Sequence, residues 1–305
     1  MKIAVIDLGT NTCNLLIAEV NSDGYRILHQ SKELVRLGDG KIRSNKISSE
    51  ATKRAVQSLL HHKKIIEKFQ TDKIRVIATS AVRTAENRIP FLETLTEKSG
   101  YVVKVITGEK EAKLIFNGVL LAVNEFSEPA VILDIGGGSN ELILACGKKM
   151  IWKESQPTGM SRIIHRFKIS NPIKPEEINA LQNYFTEQHL NTFQKCINEK
   201  VKTLIGCSGA FDTLCDIIDQ VNPEEKMRIT QEILMNEFFT VYEKLIGSTK
   251  EERIKMKGMD MVRVDLIVPA VILIEQVISR IGIQKIVQTD FALREGVLFE
   301  MIENS

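Results

Sequence analysis

The sequence predicts an α/β protein built from two similar domains. Three observations carry this reading. Short apolar strand runs alternate with longer segments of helical periodicity. A strand–turn–strand pattern at the N-terminus returns near residue 130. The chain has 305 residues, room for two domains of roughly 150 residues each.

Taken in order, KIAVID is an apolar strand, LGTNT a glycine-containing turn and CNLLIAEV a second strand. YRILHQSKELVRL is a third, ending in the turn Gly38-Asp39-Gly40. EATKRAVQSLLHHKKIIEKF has helical spacing, with Ser48 or Ser49 as its N-cap. Its His61-His62 pair, followed by two lysines, reads as a solvated helix face. IRVIATSAV is a buried strand running into a loop, YVVKVIT another strand, and EKEAKLIFNGVLLAV a helix. The order β-β-β-α-β-α-β-α calls for a mixed sheet with helices. After the second strand–turn–strand unit come a polar stretch with Pro172 and Pro175, long helical segments, and the strand–turn KTLIGCSGAFDTL. The last part reads as helix, short strand KIVQTD and terminal helix. The expected domains are 1–124 and 125–305, joined near 121–129, with the terminal helix (about 291–305) able to pack back on the first.

The repeat is visible without a gap when AVIDLGTNTCNLLIA is set against VILDIGGGSNELILA. Asp7 meets Asp134, Gly9 meets Gly136, Leu15 meets Leu142 and Ala18 meets Ala145, while Thr12 meets Ser139. Two copies of one unit opening two domains explain the match, and repeats set the frame for every finer assignment.

Composition narrows the function classes. A net charge of +2 lacks the basic bias of DNA or RNA binders. The five cysteines are scattered with no C-x-x-C pair, against a disulfide framework or a zinc site. The N-terminus meets Asp7 and Gly9 too early for a signal peptide, and no apolar run reaches about 18 residues, so no membrane span is expected. The expected compartment is the cytoplasm.

Turns rich in Gly, Thr, Ser and Asn suit a phosphate cradle, because a glycine backbone lets N–H groups converge closely on an anion. Gly9, Thr10, Asn11 and Thr12 form one such turn; Gly136, Gly137, Gly138, Ser139 and Asn140 form the other. Thr10, Thr12, Ser139 and Asn140 are expected to add side-chain donors. Asp7 and Asp134 end strands beside these turns, with Glu141 just beyond the second. Carboxylates beside a phosphate site suit Mg²⁺, which leans on one or two of them plus substrate oxygens.

DLGTNTCNLLI, KELVRLGDG, ATSAVRTAEN, TGEKEAKLIFNGV, LDIGGGSNELIL and RVDLIVP…DFALREGVL stand in this order along the chain. Together they resemble the exopolyphosphatase/guanosine pentaphosphate phosphohydrolase family, essentially from Met1 to the C-terminus. The resemblance implies two ribonuclease-H-like domains of the actin-like ATPase superfamily, with an active-site cleft between them. It implies a Mg²⁺-dependent hydrolase acting on polyphosphate or a phosphorylated guanosine nucleotide, and a homodimer. Glu111, in Gly108-Glu109-Lys110-Glu111-Ala112, takes the place of the family's general base. Lys110 stands where an acid is common, placed either to lower the Glu111 pKa or to bind phosphate. Arg83 matches a phosphate-binding arginine, and Arg263 resembles a second, from the other domain. The family's D-x-G-G-G-S-T-E loop reads DIGGGSNE here, with Asn140 replacing Thr as an amide donor. Because the chain stops after the core, short polyphosphates are expected to be hydrolysed comparatively well.

Three rival readings stand beside this one. A kinase of the same fold would depend absolutely on an acceptor, and a non-catalytic alarmone sensor would bind without turnover. GCSGA (from Gly206) approaches the nucleophile elbow G-x-S-x-G, but position 210 is Ala and all five histidines precede Ser208. A helical Arg263 has its own plain alternative, an ion pair with a carboxylate such as Asp265.

Overall fold

The computed structural model describes residues 1–22, 24–38 and 45–304. Asp39 and Gly40 of the expected Gly38-Asp39-Gly40 turn lie outside the described residues. Contacts divide the chain into two units, Met1–Gly118 with Leu293–Ser305, and Val119–Ala292.

The first unit opens with β1 (Lys2–Leu8), β2 (Thr12–Asn21) and β3 (Gly24–Leu34), an antiparallel meander. Helix α1 (Ser49–Phe69) leads to β4 (Lys73–Ala78); then come α2 (Ser80–Thr84), α3 (Arg88–Ser99), β5 (Val103–Val105) and α4 (Gly108–Val123). The sheet order is β3-β2-β1-β4-β5, with β4 parallel to β1 and β5 parallel to β4. β1 is buried on both faces, which is why KIAVIDL reads as a continuous apolar run. Ala4, Ile6 and Leu8 join the core that includes Ala51, Ala55 and Leu59 of α1. The alternate Ile3 and Val5 are equally buried, and the last helix, α11 (Leu293–Glu303), packs on β1 and β2.

Ser48 caps α1, its hydroxyl accepting from Ala51 N at 3.1 Å. The helix ends at Gln70, which adopts the left-handed conformation. His62 corrects the expected solvated pair: it is fully buried and donates through Nε2 to the Cys13 carbonyl at 3.1 Å. Its spacing from Ala55, Ser58, Leu59 and Ile66 places it in the inward stripe of α1, while His61 stays exposed. α4 and α11 cross in backbone contact: a Cβ on Gly296 would lie 1.7 Å from the Leu114 carbonyl oxygen.

The second unit repeats the plan. β6 (Phe126–Ile135), β7 (Asn140–Gly147) and β8 (Lys149–Gln156) form the antiparallel meander. After α5 (Met160–Arg166) and α6 (Pro175–Asn198), β9 (Thr203–Cys207) adds parallel to β6. Helix α7 (Gly209–Asp219), a three-residue β10 (Gln231–Ile233), α8 (Met235–Ile246), α9 (Lys250–Lys255) and α10 (Ile267–Ile281) precede β11 (Lys285–Thr289), which lies parallel to β9. The order β10-β11-β9-β6-β7-β8 is that of the first sheet with β10 added at one edge. The repeat seen over fifteen residues therefore extends to the whole sheet topology, the β-β-β-α-β-α-β plan expected of ribonuclease-H-like domains. Nearly the whole of α10 is buried, against α6, α5, α8 and α7. No described helix is long and apolar enough to cross a membrane.

Candidate active site

The two turns have one construction. Gly9 N donates to Thr12 O at 2.9 Å, and Gly136 N to Ser139 O at 3.0 Å. Both closures are tight, for a Cβ would stand 3.2 Å from Thr12 O at Gly9 and 2.7 Å from Ser139 O at Gly136.

What surrounds each turn decides where its amides point. In the second, Gly136 O accepts from Met160 N at 3.0 Å and Gly137 O from Ser161 N at 2.9 Å. Gly138 O accepts from Arg162 Nε at 2.8 Å. Two otherwise orphan amides of the first turn of α5 are thereby satisfied. In a trans peptide the C=O and the following N–H point in opposite directions. With three successive carbonyls held by this segment, the N–H groups of Gly137, Gly138 and Ser139 are turned the other way, where they meet no acceptor among the described residues. Such a run of convergent amides is an anion-binding concavity. Gly159 makes the contact possible: a Cβ there would fall 2.4 Å from Gly137 C and Gly138 N.

The first turn is held by Val35–Leu37. Asn11 O accepts from Val35 N at 2.9 Å and Arg36 N at 3.0 Å, and Thr10 O from Leu37 N at 2.7 Å. By the same peptide geometry the N–H groups of Asn11 and Thr12 are directed to the opposite side. Thr10 and Thr12 are buried, and Thr12 Oγ1 accepts from Asn14 Nδ2 at 3.3 Å.

Asn140 departs from its expected role. It is fully buried, and its amide nitrogen donates to Thr158 O at 2.7 Å and Thr158 Oγ1 at 3.0 Å. Its side-chain protons are spent inside the protein. Thr158 Oγ1 in turn lies 3.4 Å from His189 Nε2, and His189 Nδ1 donates to Glu154 Oε1 at 2.6 Å. This buried Glu–His–Thr–Asn chain anchors the end of the loop, and sequence spacing gave no sign of it.

Asp7 and Asn14 face each other across β1 and β2, as Asp134 and Glu141 do across β6 and β7. Asn14 Nδ2 donates to Asp7 Oδ2 at 3.3 Å, while Asp7 Oδ1 is buried without a hydrogen-bond partner. Asp7 keeps some solvent contact as a residue. Even so, loss of hydration pushes its carboxyl up to about 6 against the opposing Asn14 hydrogen bond and Arg294 charge, with Glu295 adding to the rise. Asp134 and Glu141 are both buried. Ser208 Oγ donates to Asp134 Oδ1 at 2.5 Å, and Ser155 Oγ to Glu141 Oε1 at 2.6 Å. Like charges directly opposite on paired strands repel, so this pair suits a cation.

Glu111 sits in the first turn of α4, buried, where the helix N-terminus favours a carboxylate. Arg83, from the end of α2, donates through NH1 to Glu111 Oε2 at 2.8 Å and to Ile106 O at 3.0 Å. The structure thus joins these two predicted residues. The Lys110 ammonium bonds Glu300 of α11 rather than Glu111, and Glu300 also accepts from Arg75 NH1 at 2.9 Å. Arg263 lies outside the helices, in the turn before α10, and Asp265 pairs instead with Lys250 at 2.8 Å. The Arg263 guanidinium lies against Gly209 at the start of α7, where a Cβ would come 2.2 Å from NH2. Its Nε is buried without an acceptor. Among the described residues no acid pairs with it, an arrangement in which a guanidinium at a helix N-terminus suits an anion.

Comparison with known proteins bears on the fold and the family. The profile of the Ppx/GppA phosphatase family matches residues 16–305. Exopolyphosphatase 2 of Mycobacterium tuberculosis is 26% identical over 314 residues, covering 98% of both chains. The bifunctional 3-dehydroquinate synthase/phosphatase of Fusobacterium nucleatum is 28% identical over 323 residues, covering 99% of this chain and 46% of its own, so the chain spans about half of that relative's length. Among solved structures, an exopolyphosphatase from Cytophaga hutchinsonii superposes with a TM-score of 0.95 at 33% identity, over 100% of this chain and 98% of that one. The Aquifex aeolicus member of the Ppx/GppA family, at 22% identity and a TM-score of 0.82 over 100% and 98% of the two chains, shares the fold. The chain belongs to the Ppx/GppA phosphatase family.

Proposed function

We propose that the chain releases terminal phosphate from inorganic polyphosphate, with Glu111 as general base. Family membership makes it a phosphoanhydride hydrolase of the exopolyphosphatase type. The observation that carries our reading is the second turn, whose three outward amides meet no acceptor among the described residues because its carbonyls are tied to the start of α5. Phosphoryl transfer asks a protein mainly for positioning and charge stabilisation, and such amides supply both without reorganising.

In this reading the backbone amides of Gly137, Gly138 and Ser139 hold phosphate oxygens, as do those of Asn11 and Thr12 and the Thr10 hydroxyl in the first turn, while Gly9, whose own amide closes that turn, gives room rather than a donor. Arg83 and Arg263 each offer a planar fork to a phosphate. Arg83 is paired with Glu111 in this structure. A phosphate drawing the guanidinium to itself would loosen that pair and leave the carboxylate to take a proton from water. Asp134 and Glu141, buried and facing each other across β6 and β7, are the residues of the second unit we assign to Mg²⁺, and half-buried Asp7 is their counterpart in the first. Among the described residues no three such side chains stand together, so substrate oxygens and water would complete the coordination. Bound there, the ion would neutralise phosphate charge and polarise phosphoryl oxygens. A cytoplasmic location accords with five free cysteines, and a homodimer rests on the family resemblance.

The test is phosphate release, with Mg²⁺, from polyphosphates of several lengths, ATP and guanosine pentaphosphate in parallel. Our reading expects polyphosphate to be turned over fastest. Preference for guanosine pentaphosphate would move the assignment to that substrate, and binding without release would make the protein a sensor.

A further inference from the structure

Ser208 stands between β9 and α7 with φ 72° and ψ 167°. That region is open essentially only to glycine, and another residue held there carries strain. The strain is not required by the topology. Thr79 makes the corresponding strand-to-helix turn between β4 and α2 in the first unit, at φ −116° and ψ −143°. Nor does it serve the helix. Serine at an N-cap ordinarily accepts a hydrogen bond from the first-turn amides, yet Ser208 makes no side-chain cap. Its hydroxyl donates instead to Asp134 Oδ1 at 2.5 Å, across to the end of the neighbouring parallel strand, where Asp134 is the register partner of Cys207.

We propose that Ser208 is a positioning residue for Asp134, its strained backbone being the cost of aiming the hydroxyl at that carboxylate. Resting on the functional reading above, this adds a residue that orients an acid through which the site would take its cation. The neighbours of Ser208 support the purpose. Gly206 leaves room for the Phe211 ring, which a Cβ would meet at 2.1 Å, and Gly209 leaves room for the Arg263 guanidinium. The segment Gly206–Gly209 thus places an acid and a cation from one tight turn. A serine in an elbow between strand and helix also suggests a nucleophile. However, the partner of this hydroxyl is a carboxylate, and no histidine bonds it.

The test compares Ser208→Gly and Ser208→Ala, with Thr79→Gly and Thr79→Ala as controls. Both Ser208 variants lose the bond to Asp134, but only glycine relaxes the backbone. Ser208→Gly should melt at least about 3 °C above Ser208→Ala, from the relief of strain at φ > 0, whereas Thr79→Gly should melt no higher than Thr79→Ala. Both Ser208 variants should need about tenfold or more Mg²⁺ for half-maximal phosphate release, the loss of one hydrogen bond to a charged group. Mg²⁺ affinity of the substrate-free protein, read by calorimetry, should weaken in parallel.

Equal melting of the two Ser208 variants, or an unchanged Mg²⁺ requirement, would overturn the inference. If the wild type hydrolyses none of the phosphoanhydrides, the functional reading fails. The melting comparison and the calorimetry still decide the role of Ser208 in that case.

Discussion

Replacing Asp7 by Asn separates what the site needs from what the fold prefers. The Asp7 carboxyl is moved from 3.8 to about 6 by burial. The folded protein therefore holds that proton at pH values where the unfolded chain has released it. Stability from this group is full below pH 3.8, falls as the pH rises through 6, and stays low above. A difference of about two pK units corresponds to about 3 kcal/mol at pH 8, an upper bound because Asp7 keeps partial solvent contact. Asn is nearly isosteric, carries no charge and can still accept from Asn14. In a metal chelator at pH 8, Asp7→Asn should melt several degrees above the wild type; at pH 4 the two should converge. Adding Mg²⁺ should raise the melting temperature of the wild type more than that of the variant, and phosphate release should fall about a hundredfold. A variant less stable than the wild type at pH 8 would refute the burial argument, and one that keeps full activity would remove Asp7 from the site.

Gly209→Ala should leave the melting temperature nearly unchanged, because the three atoms nearest the added Cβ all belong to the Arg263 guanidinium, the far end of a flexible side chain. It should raise KM about tenfold by displacing that guanidinium, a loss typical of one charged hydrogen bond; an unchanged KM would free Arg263 of a binding role. Gly159→Ala meets backbone at 2.4 Å, which cannot retreat as a side chain can. Phosphate release should collapse, with the melting temperature lowered as well, and full activity would mean the second turn tolerates displacement. Asn140→Ala leaves the Thr158 carbonyl unpaired in the core, a loss of about 1–3 kcal/mol. The expected result is a lower melting temperature with KM changed less than twofold, and the reverse pattern would restore Asn140 as a phosphate donor.

Much of this fold could be read from periodicity and from the repeat. β1 and β6 are buried on both faces, so their apolar runs stand out, and the Asp-x-Gly in each turn marks the start of both sheets. β8 was not legible. It is an edge strand with no buried residue, and KMIWKESQ has the polar look of a surface loop. The three-residue β10 is shorter than any pattern can reveal. At the site, motif resemblance named Glu111 and Arg83, which bond each other. It did not name Met160, Ser161, Val35 or Leu37, because they act through backbone amides that leave no trace in side-chain identity. The Lys110–Glu300 pair spans 190 positions of sequence, and no local pattern links the two. The spacing of His62 within α1 did carry its burial, but the lysines beside it masked the stripe.

The most direct measurement compares Glu111→Gln with Glu109→Gln, each assayed for kcat and for substrate affinity on a polyphosphate of defined length. Gln keeps the shape of Glu111 but cannot accept a proton from water. As general base, Glu111 predicts a fall in kcat of about 10²- to 10⁴-fold in the first variant, with affinity kept or improved once Arg83 is released from its ion pair. Glu109 is exposed, one residue beyond the start of α4, and its variant should turn over as the wild type does. Normal turnover by Glu111→Gln would contradict the account and pass the role of base to another carboxylate, with Glu141 next in line.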